Sequence, residues 1–212
     1  MPQVDWYFDV ISPFAYLASQ RLDRLPEGIA VRPVPVLFAG LLDHWHTKGP
    51  AEIAPMRRFT FRHIAWLARR DGIPLRFPPQ HPFNPLRLLR LALLLDDLAA
   101  VRRLFRFVWA EGRSSDDPDA WASLGAEFGL DDVESAIAAP EIKTGLRGNT
   151  ERAIALGVFG VPTFAVGDEL FWGYDALPFL AEYLAEPARV RAEVLAPADA
   201  MREGRGRPGA AR

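Results

Sequence analysis

The amino-acid sequence predicts an α/β protein whose two sheet-forming parts are separated by an inserted all-helical subdomain. Three observations carry this expectation. Apolar residues alternate with period two at the N-terminus, helical periodicity runs without a strand from about Ala51 to Leu156, and strand-like runs return at 161–172.

Val4, Trp6, Phe8 and Val10 alternate with Asp5, Tyr7 and Asp9, which suits a largely buried strand. Phe14, Leu17, Ala18, Leu22 and Leu25 then recur at helical spacing. Ser12 is placed as the N-cap and Pro13 as the first helical residue, because proline has no N–H to lose there and pushes its predecessor out of the α region. Gly28 to Val36 reads as a second strand, and Pro33 and Pro35 favour its end or an edge position. Helices are expected at 51–71, 85–97, 99–111, 118–128, 131–138 and 140–156, punctuated by Asp71-Gly72-Ile73-Pro74, by the proline-rich connector 78–85 and by Ser114 to Pro118. Val161 to Val166, the two-residue turn Gly167-Asp168 and Glu169 to Trp172 read as a hairpin, followed by a helix from Asp175 to about Leu184.

This order, βαβ then helices then ββα, is the layout of a thioredoxin-like fold interrupted by an inserted all-helical subdomain. It divides the chain into a thioredoxin-like domain in two halves, 1–40 and 157–190, an inserted helical subdomain at 41–156, and a partly disordered C-terminal extension at 191–212. Gly204 to Gly209 matches the G-x-G-x-x-G pattern, but no strand precedes it and no helix has room to follow, so it is not a dinucleotide site.

Half of the 212 residues are hydrophobic, and 25 basic against 27 acidic side chains leave a formal charge of -2. That balance gives no pull toward nucleic acid or an acidic membrane surface, so the expected partner is a small molecule. Asp5 and Asp9 interrupt the first apolar run, so no signal peptide is expected, and Arg90 and Asp96 break the most apolar helix well short of a membrane span; a cytoplasmic protein is expected. Cysteine is absent, so any thiol chemistry uses a sulfur carried by a bound molecule.

Ser12 supports two readings. As a cap it satisfies a helix N–H; as a ligand group it presents a hydroxyl and a positive dipole end to an anion such as a thiolate or carboxylate. The two roles compete for one hydroxyl. Val161-Pro162 opens a strand after a glycine-flanked turn, which is where a thioredoxin-like fold places a cis proline beside its active-site helix and leaves the preceding backbone free to pair with an extended peptide. His44-Trp45-His46 puts two imidazoles on one strand face, but no third ligand accompanies them and no metal site is expected. Trp66, Trp109 and Trp121 follow apolar helical spacing and are assigned to the core.

Several segments together carry a family resemblance: Tyr7-Phe8-Asp9 with Ser12 to Leu17, Ala68 to Pro74, His81 to Pro85, Gly157 to Phe164, and Leu170 to Asp175. Over roughly residues 4–186 the chain resembles the 2-hydroxychromene-2-carboxylate isomerases, in the kappa-type glutathione transferase and DsbA-like branch of the thioredoxin superfamily. The resemblance implies glutathione as cofactor, with its thiolate held by Ser12 as the catalytic residue. It implies that Val161 and Pro162 bind the cysteinyl part of glutathione, with the Val161 backbone pairing with it, that Tyr174 and Asp175 bind the γ-glutamyl end, with Asp175 meeting its ammonium, and that a basic residue among Lys48, Arg57 and Arg58, Lys48 first, meets the glycine carboxylate. His81 and Asn84 would face the cleft and touch a small aromatic carboxylate substrate, although Asn84 also suits a helix cap. A homodimer is implied as well.

The expected function is therefore a glutathione-dependent isomerase of a 2-hydroxychromene-2-carboxylate-like aromatic keto acid. Two rivals stay open: a kappa-like glutathione transferase or peroxidase using the same thiolate, and a non-catalytic thioredoxin-fold binding protein in which Ser12 only caps its helix.

Overall fold

The computed structural model describes residues 3–202. Strand β1 (Gln3–Phe8) leads through a tight turn into helix α1 (Pro13–Ser19), and β2 (Ala30–Pro35) follows. Seven helices separate β2 from β3 among the described residues: α2 (Phe38–His44), α3 (Ala54–Arg70), α4 (Leu86–Leu95), α5 (Leu98–Trp109), α6 (Pro118–Glu127), α7 (Val133–Ala138) and α8 (Pro140–Ala155). The hairpin of β3 (Thr163–Val166) and β4 (Glu169–Trp172) then precedes α9 (Leu177–Ala185), with a 3-10 turn at Tyr174–Ala176 between them. The architecture is the expected one, an interrupted thioredoxin-like fold with its helices inserted after β2.

The strands form one sheet in the order β2-β1-β3-β4, with β1 parallel to β2 and antiparallel to β3. Pro33 and Pro35 lie in β2, an edge strand, where their missing N–H groups cost no ladder bond. The alternation along β1 sends Val4, Trp6 and Phe8 into the larger core and Tyr7 into a second core on the opposite face. Trp6 is the centre of the first, with ring centroids 4.7 Å from Phe8, 5.6 Å from Phe105 and 6.2 Å from Phe164. Because Phe105 belongs to α5, this aromatic group ties the helical insertion to the sheet. The second core joins Val34 and Val36 to Leu41 of α2 and Ala153 of α8.

Some expectations are corrected. Residues 38–44 form α2 rather than a loop or strand, and His46 beyond it takes a left-handed conformation at φ 51, so His44 and His46 share no strand face. Trp109 and Trp121 are buried as expected, but Trp66 is 47% exposed on α3, stacked on His63 and under the Arg70 guanidinium. Helix α10 (Pro187–Val190) leads into the C-terminal extension, which begins as helical turns, a π turn at Arg191–Leu195 and α11 (Ala196–Asp199). The G-x-G-x-x-G pattern at 204–209 lies outside the described residues. No described helix is long and apolar enough to cross a membrane.

The Ala68 to Pro74 segment has a structural role. Asp71 closes α3 and collects Arg24 at 3.5 Å, Arg70 at 2.8 Å and the phenol of Tyr174, while Tyr16 of α1 donates to the Pro74 carbonyl. Those donors, Arg70 first, hold the Asp71 carboxyl well below the usual carboxylate range. The end of α3 is thereby fastened to α1 and to the turn before α9.

Candidate functional site

The turn from β1 into α1 is built from hydrogen bonds that its own sequence supplies. Ser12 has extended backbone angles, φ -86 and ψ 113, as an N-cap requires. Its N–H donates to the Asp9 carbonyl at 3.0 Å, and its hydroxyl accepts the Ala15 N–H at 3.2 Å. The same hydroxyl donates to the Val161 carbonyl at 3.3 Å, across 149 positions of sequence. Ser12 and the Val161-Pro162 turn, picked out separately in the sequence, are thus in direct contact, and the Val161-Pro162 bond is cis.

Both bonds of the hydroxyl are at the long end of the hydrogen-bonding range. Among the described residues the Phe14 and Val161 N–H groups donate to no acceptor. A hydroxyl held by two weak bonds, with two unpaired N–H donors beside it, can turn toward an incoming anion at little cost.

Asp9 lies under this turn and is a residue that the sequence reading left on the polar phase of β1. It is 1% exposed, and its carboxylate accepts the Ile11 N–H at 3.0 Å and the Phe38 N–H at 2.9 Å. One buried side chain thereby pins the residue before Ser12 to the start of α2. Burial pushes its pKa up to about 7, against the two backbone donors that favour the charged form. The signal was available in the sequence: an acidic residue between two long apolar segments, three before the serine, has no solvent to face.

Trp109 supports the turn from the other side, its indole Nε1 donating to the Val10 carbonyl at 2.8 Å. His81 does the same from the proline-rich connector. Its Nε2 lies 3.0 Å from the Ile11 carbonyl, which can only accept, so Nε2 carries the proton and Nδ1 is bare, buried and without a partner among the described residues. Burial, aided by the Arg57 cation, lowers the His81 pKa and favours the neutral ring. Arg57 in turn donates to the His81 carbonyl at 3.0 Å and lies over the Phe61 ring.

The structure thus brings together Ser12, Val161, Pro162, His81 and Arg57. It does not draw the other candidates in equally. Lys48 and Arg58 are exposed and make no hydrogen bond or ion pair with that group among the described residues. Asn84 is exposed and accepts the Leu86 N–H at 3.0 Å in an Asx turn that leads into α4; the N-cap of that helix is Pro85, so Asn84 is not its cap. Tyr174 is a correction: its phenol is turned inward onto Asp71, which leaves no free side-chain group for a cofactor. Asp175 next to it is exposed, and its carboxylate lies so close over Gly173 that a Cβ there would come within 2.5 Å of Oδ1. Gly173 has φ 103, a conformation that glycine alone adopts without strain. Phe159 and Trp172, with ring centroids 5.0 Å apart, flank the Val161 turn as an exposed aromatic pair that the sequence reading did not single out.

Comparison with known proteins gives the family and supports the fold. The DSBA-like thioredoxin domain family matches residues 3–185. A 2-hydroxychromene-2-carboxylate isomerase of Pseudomonas putida is 30% identical over 200 residues, spanning 90% of this chain and 98% of the relative. Glutathione s-transferase kappa 2 of Caenorhabditis elegans is 29% identical over 210 residues, spanning 87% of this chain and 92% of the relative. The solved structure of a selenomethionine 2-hydroxychromene-2-carboxylate isomerase superposes with a TM-score of 0.79 at 29% identity, covering 90% of this chain and 98% of that one. The chain belongs to the DSBA-like thioredoxin domain family and is an enzyme of the branch that holds the 2-hydroxychromene-2-carboxylate isomerases and the kappa-type glutathione transferases.

Proposed function

We propose that this chain is a glutathione-dependent isomerase of a 2-hydroxychromene-2-carboxylate-like aromatic keto acid, with Ser12 as the catalytic residue. The observation that carries the reading is the contact of the Ser12 hydroxyl with the Val161 carbonyl, beside the unpaired N–H groups of Phe14 and Val161. These donors suit a peptide-like thiol, and the absence of cysteine leaves the sulfur to be supplied by such a ligand. When bound, glutathione supplies a thiolate that adds reversibly to a conjugated double bond and makes it a rotatable single bond.

The protein's part is to hold and orient. Ser12 Oγ–H turns from the Val161 carbonyl to the sulfur and, with the start of α1, favours the charged form of the thiol. Val161 N–H binds the cysteinyl backbone as a neighbouring strand would. Asp175, exposed and without an ion-pair partner among the described residues, suits the γ-glutamyl ammonium. Of the three basic candidates Arg57 is the one bonded into the Ser12 turn, through His81 and Ile11, and we assign it rather than Lys48 to the glycine carboxylate. His81 backs the cleft as a neutral ring, and the Asn84 side-chain amide is available to the substrate acid. The same reading makes the molecule a homodimer, with Met56, Phe59 and Trp66, exposed along α3, as the surface that a second copy covers; equilibrium sedimentation tests this.

The decisive experiment compares Ser12→Ala with the parent. A hydrogen bond to a charged group contributes about 1.5–3 kcal/mol, so kcat/KM falls about ten- to hundredfold and the bound thiol ionises about one to two pH units higher, read from thiolate absorbance. Loss of the cap costs only about 1 kcal/mol of stability. Unchanged turnover would leave Ser12 as a cap alone. The kappa relative keeps a transferase reading in view, and product analysis separates them: an isomerase returns its glutathione, whereas a transferase consumes one equivalent per product.

A further inference from the structure

The helix α4 is apolar apart from two arginines, and the structure treats them differently. Arg87 is satisfied, donating to the Ser115 carbonyl at 2.7 Å and pairing with Glu134 at 2.9 Å. Arg90, one turn on, makes no ion pair or side-chain hydrogen bond among the described residues, and its Nε is shut off from solvent without a partner. The side chain is half-buried, so its outer nitrogens can reach solvent, but the enclosed Nε–H is left without an acceptor, which is costly unless something else completes it.

Arg90 lines an open cleft of about 300 Å³ between α4 and α8, at the small end of the range for ligand sites. Lys143 and Arg147 of α8 line it as well. Lys143 has no ion-pair partner among the described residues, and Arg147 meets only Glu151, at 3.8 Å with both side chains largely in solvent. Three cations against one carboxylate leave the cleft strongly positive. Between the charges its surface is apolar, from Leu37, Leu86 and Leu146. One wall is fixed rather than loose, because the Leu37 N–H donates to Thr150 Oγ1 at 3.0 Å and that hydroxyl donates to the Leu146 carbonyl at 3.0 Å. None of the cleft's residues belongs to the group gathered around Ser12.

We propose that this cleft is a second binding site, for a small aromatic carboxylate, with the ring against Leu37, Leu86 and Leu146 and the carboxylate between Arg90 and the cations of α8. An anion alone would leave the apolar part of the cleft wall uncovered, and an uncharged ring would leave the Arg90 Nε without an acceptor; a ligand that carries both satisfies each. The site needs neither Ser12 nor glutathione, and so does not depend on the proposed reaction.

The test is calorimetric titration of the full chain with 2-naphthoate, with inorganic phosphate as the comparison and with glutathione present or absent. 2-Naphthoate binds, more weakly as salt rises, and the binding event that glutathione leaves in place is about tenfold weaker in Arg90→Gln. Arg147→Gln, a substitution on the exposed side of α8 that leaves the fold intact, weakens it severalfold. Saturating glutathione and Ser12→Ala leave the binding in place. The proposal is overturned if no 2-naphthoate binds at millimolar concentration, if both arginine variants bind like the parent, if phosphate binds as tightly as the aromatic acid, or if glutathione displaces the ligand.

Discussion

Asp9→Asn isolates the group that pins the Ser12 turn. In the folded protein the Asp9 carboxyl holds its proton up to about pH 7, against an ordinary value of 3.8, because burial penalises its charge. The folded state therefore binds the proton more tightly than the unfolded chain. Its contribution to stability is fully present below the unfolded value and is lost as pH rises through about 7. Over the whole window the loss is about 4 kcal/mol, and between about pH 5 and about pH 8 it is about 2.5 kcal/mol. His81 acts in the opposite sense, since its lowered pKa favours the neutral ring and costs stability as pH falls. The quantity to measure is thus the difference between parent and variant, in which the His81 contribution cancels.

Asparagine keeps the shape of Asp9 but offers one accepting oxygen where the carboxylate offers two. One of the Ile11 and Phe38 N–H groups then faces an amide NH2, at a cost of about 1–3 kcal/mol at any pH. Urea unfolding with linear extrapolation reads the outcome. The variant is less stable than the parent at about pH 5 and draws level with it or passes it at about pH 8, a relative change of about 2.5 kcal/mol. A difference that stays constant within about 0.5 kcal/mol over that range refutes the reasoning, because it would mean that Asp9 gains and loses its proton alike in both states.

Two further changes probe the supports of the site. Trp109→Phe keeps the aromatic packing but leaves the Val10 carbonyl without its indole donor, which costs about 1–3 kcal/mol and lowers Tm by about 3–10 °C; an unchanged melting temperature contradicts the role assigned to that bond. Gly173→Ala puts a Cβ within 2.5 Å of Asp175 Oδ1 at a backbone φ of 103, so the carboxylate must shift. KM for glutathione rises severalfold while kcat at saturation is retained, and an unchanged KM removes Asp175 from the binding site.

Much of the fold was legible because it rests on local periodicity. The period-two run at Val4 to Phe8, the proline after Ser12, and the glycine-aspartate turn at 167–168 each specify their element with few alternatives. Helix α2 escaped notice because it is short and lies between prolines and histidines, with Leu41 its one buried residue. Trp66 misled because apolar spacing on a helix says which residues share a face, and not whether anything covers that face.

The sequence by itself determined the order of the strands and the longer helices, the cap at Ser12, and that any thiol chemistry in a chain without cysteine must use a sulfur from a bound molecule. Only the tertiary structure decided which distant groups converge. The contact of Ser12 with Val161 spans 149 positions, Asp9 reaches Phe38, Trp109 reaches Val10, and Tyr174 turns onto Asp71 instead of toward a ligand. The physical reason is that periodicity and capping act within a few residues of chain. Burial and the pairing of polar groups depend on which elements the core brings together, and no local pattern encodes that.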